Sequence, residues 1–208
     1  MTIQILLAAL FLAAVLWLGF RAAPETEGAP VRRARIKEAT VFGLPPVPVF
    51  CAVLALGLIL RFILGYNING FEADISCFKA WAAYTYDYGF NNMSYRDLFL
   101  DYPPGYLYVL YIIEAFRRLF GIDQYAQSYT LMIKLAPILS DIACAAALWV
   151  LARKKLGEKS ALLIAFAYLF CPAVIVNSSV WGQADSFCAL LLLCTLLLLW
   201  YNHTPLAA

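Results

Sequence analysis

The sequence predicts an all-α fold: a polytopic membrane helix bundle with a large external loop that carries interfacial helices. Three features lead there. Hydrophobic residues make up 64% of the chain and charged residues 13%, more apolar surface than a water-soluble domain could cover. Four runs, 3–20, 46–65, 128–152 and 160–176, reach the roughly 17–25 apolar residues that a membrane helix needs. A fifth, 186–201, is slightly short and borrows a turn from the loop before it. The polar stretches between these runs differ sharply in charge, which sets an orientation.

The run 3–20 reads as a retained transmembrane helix. It lacks the basic n-region of a signal peptide and exceeds the usual apolar core of about 7–15 residues. Residues 21–45 form a basic cytoplasmic linker with Arg21, Arg32, Arg33, Arg35 and Lys37; within it, 22–30 has no periodicity. Residues 46–208 form one transmembrane module. Its first helix, 46–65, returns outward to the external loop 66–127, where seven acidic residues face four basic ones. The run 128–152 goes in, Arg153, Lys154, Lys155 and Lys159 stay cytoplasmic, 160–176 comes out and 186–201 goes in again.

Parity decides how to read 104–119. As a span it would move the basic hairpin 153–159 outside and put Asp101 and Asp185 on opposite faces. As a helix it covers about 24 Å, short of the roughly 30 Å hydrocarbon layer, and Glu114, Arg117 and Arg118 crowd its end. It therefore reads as interfacial, with a short tilted span as the alternative.

The external loop carries the chemistry. Residues 71–89 predict a surface helix whose first turn holds Glu72 and Asp74, where carboxylates suit the helix dipole. Asp74, Phe78, Trp81 and Thr85 share one face of it. Next comes DYPPGYLYVLY, 101–111, in which two prolines follow Asp101 and Tyr102 and start a helix. A helix-start role for Asp74 and a capping role for Asp101 are the structural alternatives to a site. About eighty residues on, NSSVWGQADSF, 177–187, places Trp181, Gln183 and Asp185 in a polar break between apolar runs. Acids at such boundaries are costly unless they have a function. Within 128–152, Lys134 and Asp141 face the same side. Asp141 predicts a polar partner in the bundle interior, and Lys134 is a candidate phosphate contact.

Other features carry little. The six cysteines, Cys51, Cys77, Cys144, Cys171, Cys188 and Cys194, lack metal or disulfide spacing. No residue is assigned to a metal. The basic residues sit where membrane orientation requires them, which excludes nucleic acid as their reason. No phosphate-binding glycine loop is present.

Four motifs in order, Asp74-Ile-x-x-Phe78-x-x-Trp81, DYPPGYLYVLY, IKLAPILSDI (133–142) and PAVIVNSSVWGQADSF (172–187), resemble bacterial mannosyltransferases related to the eukaryotic enzyme that adds the second mannose to glycosylphosphatidylinositol. These belong to the GT-C superfamily of polyprenyl-phosphate-sugar-dependent glycosyltransferases. The resemblance covers about residues 47–201. It implies a GT-C-like, multi-pass cell-membrane hexosyltransferase that moves a sugar, mannose above all, from a polyprenyl-phosphate donor to a lipid, glycan or protein acceptor. Asp74 matches the family's acceptor-activating acid and Asp101 assists. Gln183, Asp185, Lys134, Tyr102 and Trp181 are the expected substrate-binding residues. The resemblance fixes no cofactor, and a divalent cation is compatible with the chemistry. Family members have more helices than this chain, so the resemblance also implies the N-terminal part of a longer enzyme, with independent activity in question. Two other classes remain open: a transporter or flippase, with Lys134 and Asp141 on its path, and a non-catalytic scaffold of the same fold.

The charge map predicts that cysteines introduced near Arg96 and at Ser179 react with an impermeant thiol reagent from outside, and one at Gly157 does not. Labelling of 96 and 179 from opposite sides would restore 104–119 as a span.

Overall fold

The computed structural model describes residues 43–90 and 99–200. These are helical, with no β-strand among them. The expected helix 3–20 and the basic linker lie outside the described residues.

Helix α1, Pro46–Asn67, starts with proline in its first turn, where no intrahelical N–H is needed. Helices α2, Glu72–Tyr88, and α3, Pro104–Leu119, occupy the positions the sequence predicts for the loop. Helix α4, Gln127–Leu156, is longer than the run that announced it. Its 30 residues continue through Arg153, Lys154 and Lys155, good helix formers that also suit the negative end of the dipole. Gly157, at φ +84°, makes the turn into α5, Glu158–Leu169.

The expected straight run 160–176 is broken. Pro172 has no N–H to donate and pushes Cys171 out of the helical region, to ψ 120°. A short helix α6, Pro172–Ile175, resumes and widens into a π-turn, Val176–Trp181. The segments before and after the break meet at 48°. Gly182, at φ +94°, ends the turn, and α7 runs Asp185–Trp200. Two helices, α1 and α4, are long and apolar enough to cross a membrane, or three spans if the bent pair counts as one. Helix α7, at 16 residues, falls short of a full span by itself.

Helix α4 runs through two cores. Toward its C-terminal half, Phe50 and Leu54 of α1 pack with Ile142, Ala146 and Trp149 of α4 and Ala161, Ala165 and Leu169 of α5. Phe50 stacks on Trp149 at 4.1 Å, and Gly57 leaves room for Leu169. Toward its N-terminal half, Tyr129, Met132 and Ile133 pack against Ile75, Phe78 and Trp81 of α2 and Tyr106, Leu107 and Leu110 of α3. Helix α3 is tied down by charge as well. Buried Glu114 accepts hydrogen bonds from Arg117, Arg118 and Tyr129 at 2.6–2.8 Å. Burial alone would raise its carboxyl, but these donors outweigh it and bring it down to about 2.

Between the cores, fully buried Arg61 meets fully buried Asp141 at 3.0 Å. The polar partner expected for Asp141 is therefore an arginine, the single charge in the run 46–65. Arg61 also donates to the Leu169 carbonyl at 2.8 Å, which the helix break leaves without its usual i+4 donor.

Ser179 is fully buried, so exposed Trp181 is the better labelling position beside it. Removing one partner of a buried pair leaves the other charge uncompensated. Arg61→Leu is expected to cost about 3–5 kcal/mol of stability, read by denaturant unfolding in detergent. Arg61→Leu with Asp141→Leu should regain most of that loss. A double variant as unstable as the single would refute the pairing as its cause.

Candidate functional site

The site begins with two turns. After α1, the chain passes through Gly70, at φ +91°, into α2. Across from it, the π-turn ends at Gly182. The Phe71 N–H donates to the Trp181 carbonyl at 3.3 Å, and the Asn177 carbonyl accepts from the N–H groups of Gly182 and Gln183 at 3.0 and 3.1 Å. These bonds bring the start of α2 against the segment 181–183.

Asp74 lies at this junction. Helix α2 has no side-chain cap, so the Asp74 carboxylate is turned to another segment and does not close its own helix end. The Trp181 indole donates to its Oδ2 at 2.7 Å, and the Gln183 amide donates to the same oxygen. The Gln183 carbonyl oxygen in turn accepts from the Tyr102 hydroxyl. Four residues from three separate sequence motifs thus form one chain of hydrogen bonds: Tyr102, Gln183, Asp74 and Trp181. Burial pushes the Tyr102 hydroxyl up to about 12, with Asp185 and then Asp74 adding to the effect. It therefore remains a donor at neutral pH.

Asp101 is exposed. Helix α3 begins at Pro104 after Pro103 with no side-chain cap, so a capping role for Asp101 is not realised. Cys77 lies one turn along α2 from Asp74. Burial, then Asp101, then Asp74 raise the Cys77 thiol. Asp185 sits at the start of α7 and accepts from the Asn177 amide at 3.0 Å. Of the sequence-predicted residues, Asp74, Tyr102, Trp181 and Gln183 are thus joined directly, and Asp185 is tied to the same turn through Asn177.

Lys134 differs from expectation. Its ammonium is fully buried and donates to the carbonyls of Ile68, Ser179 and Val180 at 2.6, 3.0 and 3.2 Å. A lysine has three donors, so none is left for a phosphate in this arrangement.

Aromatic rings floor the site. Tyr102 meets Phe78 edge-on at 5.1 Å and Trp81 at 5.6 Å; Tyr106 lies against Tyr102 and Phe187. The Trp81 indole donates to the Phe99 carbonyl at 2.7 Å, tying the chain just before Asp101 to α2. Trp181 and Phe71 pair at 5.4 Å, and both remain half exposed. Sequence reasoning missed Asn177, Gly70, Gly182 and Tyr106. The Tyr106 hydroxyl is buried with no hydrogen-bond partner among the described residues. Its place in the tyrosine-rich run gave no signal that set it apart from exposed Tyr108. Among the described residues, no three His, Cys, Asp or Glu side chains group as a metal would require.

Two anions near one thiol disfavour its thiolate. Asp101→Asn and Asp74→Asn should each speed Cys77 alkylation, with Cys77 read by mass spectrometry. Unchanged rates in both would separate the two carboxylates from Cys77 and from each other. No family model, curated protein or solved structure matches the chain.

Proposed function

We propose that this chain carries the acceptor-activating site of an integral-membrane, multi-pass glycosyltransferase of GT-C type. It transfers a sugar, mannose in the reading the motifs support, from a polyprenyl-phosphate donor to a hydroxyl of a lipid, glycan or protein at the external face. The observation that carries this reading is the asymmetric treatment of Asp74. Its Oδ2 is held by Trp181 and Gln183, while no hydrogen bond engages Oδ1 among the described residues. An oriented carboxylate with one free oxygen is what a hydroxyl acceptor needs.

In this mechanism Oδ1 takes the acceptor proton as the hydroxyl oxygen attacks the anomeric carbon. The bond from that carbon to the donor phosphate breaks, and its electron pair leaves with the lipid phosphate. Phosphate is a good leaving group, so no strong general acid is required. Asp101 and Asp185 flank the reacting centre and orient sugar hydroxyls. Exposed Trp181 offers an apolar ring face, against which the C–H groups of a sugar can pack.

The rival transporter reading places Lys134 and Asp141 on a path through the membrane. Lys134 is bound by three carbonyls and Asp141 by Arg61, so these charges are tied within the bundle. That favours the enzyme.

Asp74→Asn preserves size and removes basicity. Transfer of labelled mannose from polyprenyl-phosphate mannose, by membranes carrying the full-length protein, should fall by about 10²–10⁴-fold. Asp185→Asn should raise KM with a smaller change in kcat. Near-normal turnover in Asp74→Asn would remove it as base and move the role to Asp101. No transfer by the unaltered protein with any polyprenyl-phosphate sugar, together with movement of lipid across vesicles, would replace the enzyme with the transporter.

A further inference from the structure

Lys134 is an expensive residue where it stands. Its side chain has no exposure, and no carboxylate among the described residues pairs with it. A buried ammonium balanced only by carbonyl dipoles gives up much of its hydration energy. What the cost secures is visible in the partners. Ile68 precedes the turn that leads to Asp74; Ser179 and Val180 precede Trp181 and Gln183. One cation therefore ties together the two backbone segments that carry the base and its two donors. The carbonyls of Ser179 and Val180 are available because the π-turn ends at Gly182, which leaves its last carbonyls without an intrahelical donor.

The stem is fixed as closely as the head. A methyl group at Gly70 would lie 3.2 Å from Lys134 Cε and 2.6 Å from the Trp181 carbonyl. One at Gly182 would lie 3.2 Å from Lys134 Cγ and 2.8 Å from Ile75 Cδ1. Both glycines hold positive φ, which a side chain would strain. The lysine thus passes between two turns that close on it, and α4, the longest helix, anchors it from behind.

We infer that Lys134 is a positioning residue: its ammonium sets the register of the two turns and so holds the Asp74 carboxylate against Trp181 and Gln183. The inference builds on the proposed role of Asp74, but its geometric part stands without any activity. Among the described residues, Lys134 makes no hydrogen bond or ion pair with Asp74.

The test uses the intact protein labelled with 5-fluorotryptophan in detergent micelles, with the resonances of Trp181 and Trp149 assigned by Trp→Phe variants. Trp181 reports the bond to Asp74; Trp149 reports the core around Phe50. Asp74→Asn gives the reference shift for a weakened indole bond. Lys134→Met should move the Trp181 resonance in the same direction and leave Trp149 in place. Lys134→Gln, which keeps two N–H donors, should give a smaller shift. Where transfer is measurable, Lys134→Met should lower kcat by about 10-fold or more and have little further effect in the Asp74→Asn background, because residues acting as a unit are not additive. A Trp181 resonance unmoved in folded Lys134→Met would overturn the inference. Equal shifts at Trp181 and Trp149, or failure of both Lys134 variants to fold where Asp74→Asn folds, would assign Lys134 to general stability and also overturn it. Movement of Trp181 without measurable transfer in any variant would uphold the positioning and reject the proposed activity.

Discussion

The broken helix after Leu169 is the constraint on which the rest of the described structure depends. Pro172 interrupts the hydrogen-bond ladder inside an apolar run, and an apolar environment offers no water to take over the freed carbonyl. Arg61 supplies the missing donor from α1, and its own charge is balanced by Asp141 from α4. One guanidinium therefore joins α1, α4 and the end of α5. With the break held, the chain after it is redirected by 48° and brings the π-turn over the N-terminal half of α4. Without that redirection, Trp181 and Gln183 would not reach Asp74.

Lys134 repeats the same solution one step further out. Irregular backbone at depth is tolerated where it is buried in protein and its carbonyls are met. Arg61 meets the carbonyl left by the proline break, and Lys134 meets those left by the π-turn and by the end of α1. The two buried basic residues of α1 and α4 both meet backbone carbonyls, Arg61 while also pairing with Asp141.

The two helices between α1 and α4 were legible because their signals are local. Phe71 and Gly89 bracket α2, and Pro103 and Pro104 start α3, so both were placed to within a residue. The break in 160–176 was not read, although Pro172 was visible, because apolarity over the whole run outweighed one proline. At the site, Asp74, Tyr102, Trp181, Gln183 and Asp185 could be selected as polar residues in awkward places. What could not be read is who bonds whom. The bond between Gln183 and Asp74 spans 109 positions, and no periodicity encodes it. Lys134 was read as a candidate phosphate contact, and the carbonyls of Ile68, Ser179 and Val180 that it meets leave no mark in the sequence. Arg61 was the reverse: the requirement for a partner was read from Asp141, and the arginine that answers it was passed over.

The closure of Gly70 and Gly182 on the Lys134 stem has a consequence for how this sequence can change. A side chain at Gly70 collides with the Trp181 carbonyl and one at Gly182 with Ile75, and either one presses on the Lys134 stem. A change at any one of the three is therefore felt at the other two, and no single replacement repairs it. The three positions form an epistatic unit, whereas the exposed apolar positions of α1, such as Leu56, Ile59 and Ile63, have no such partners to disturb.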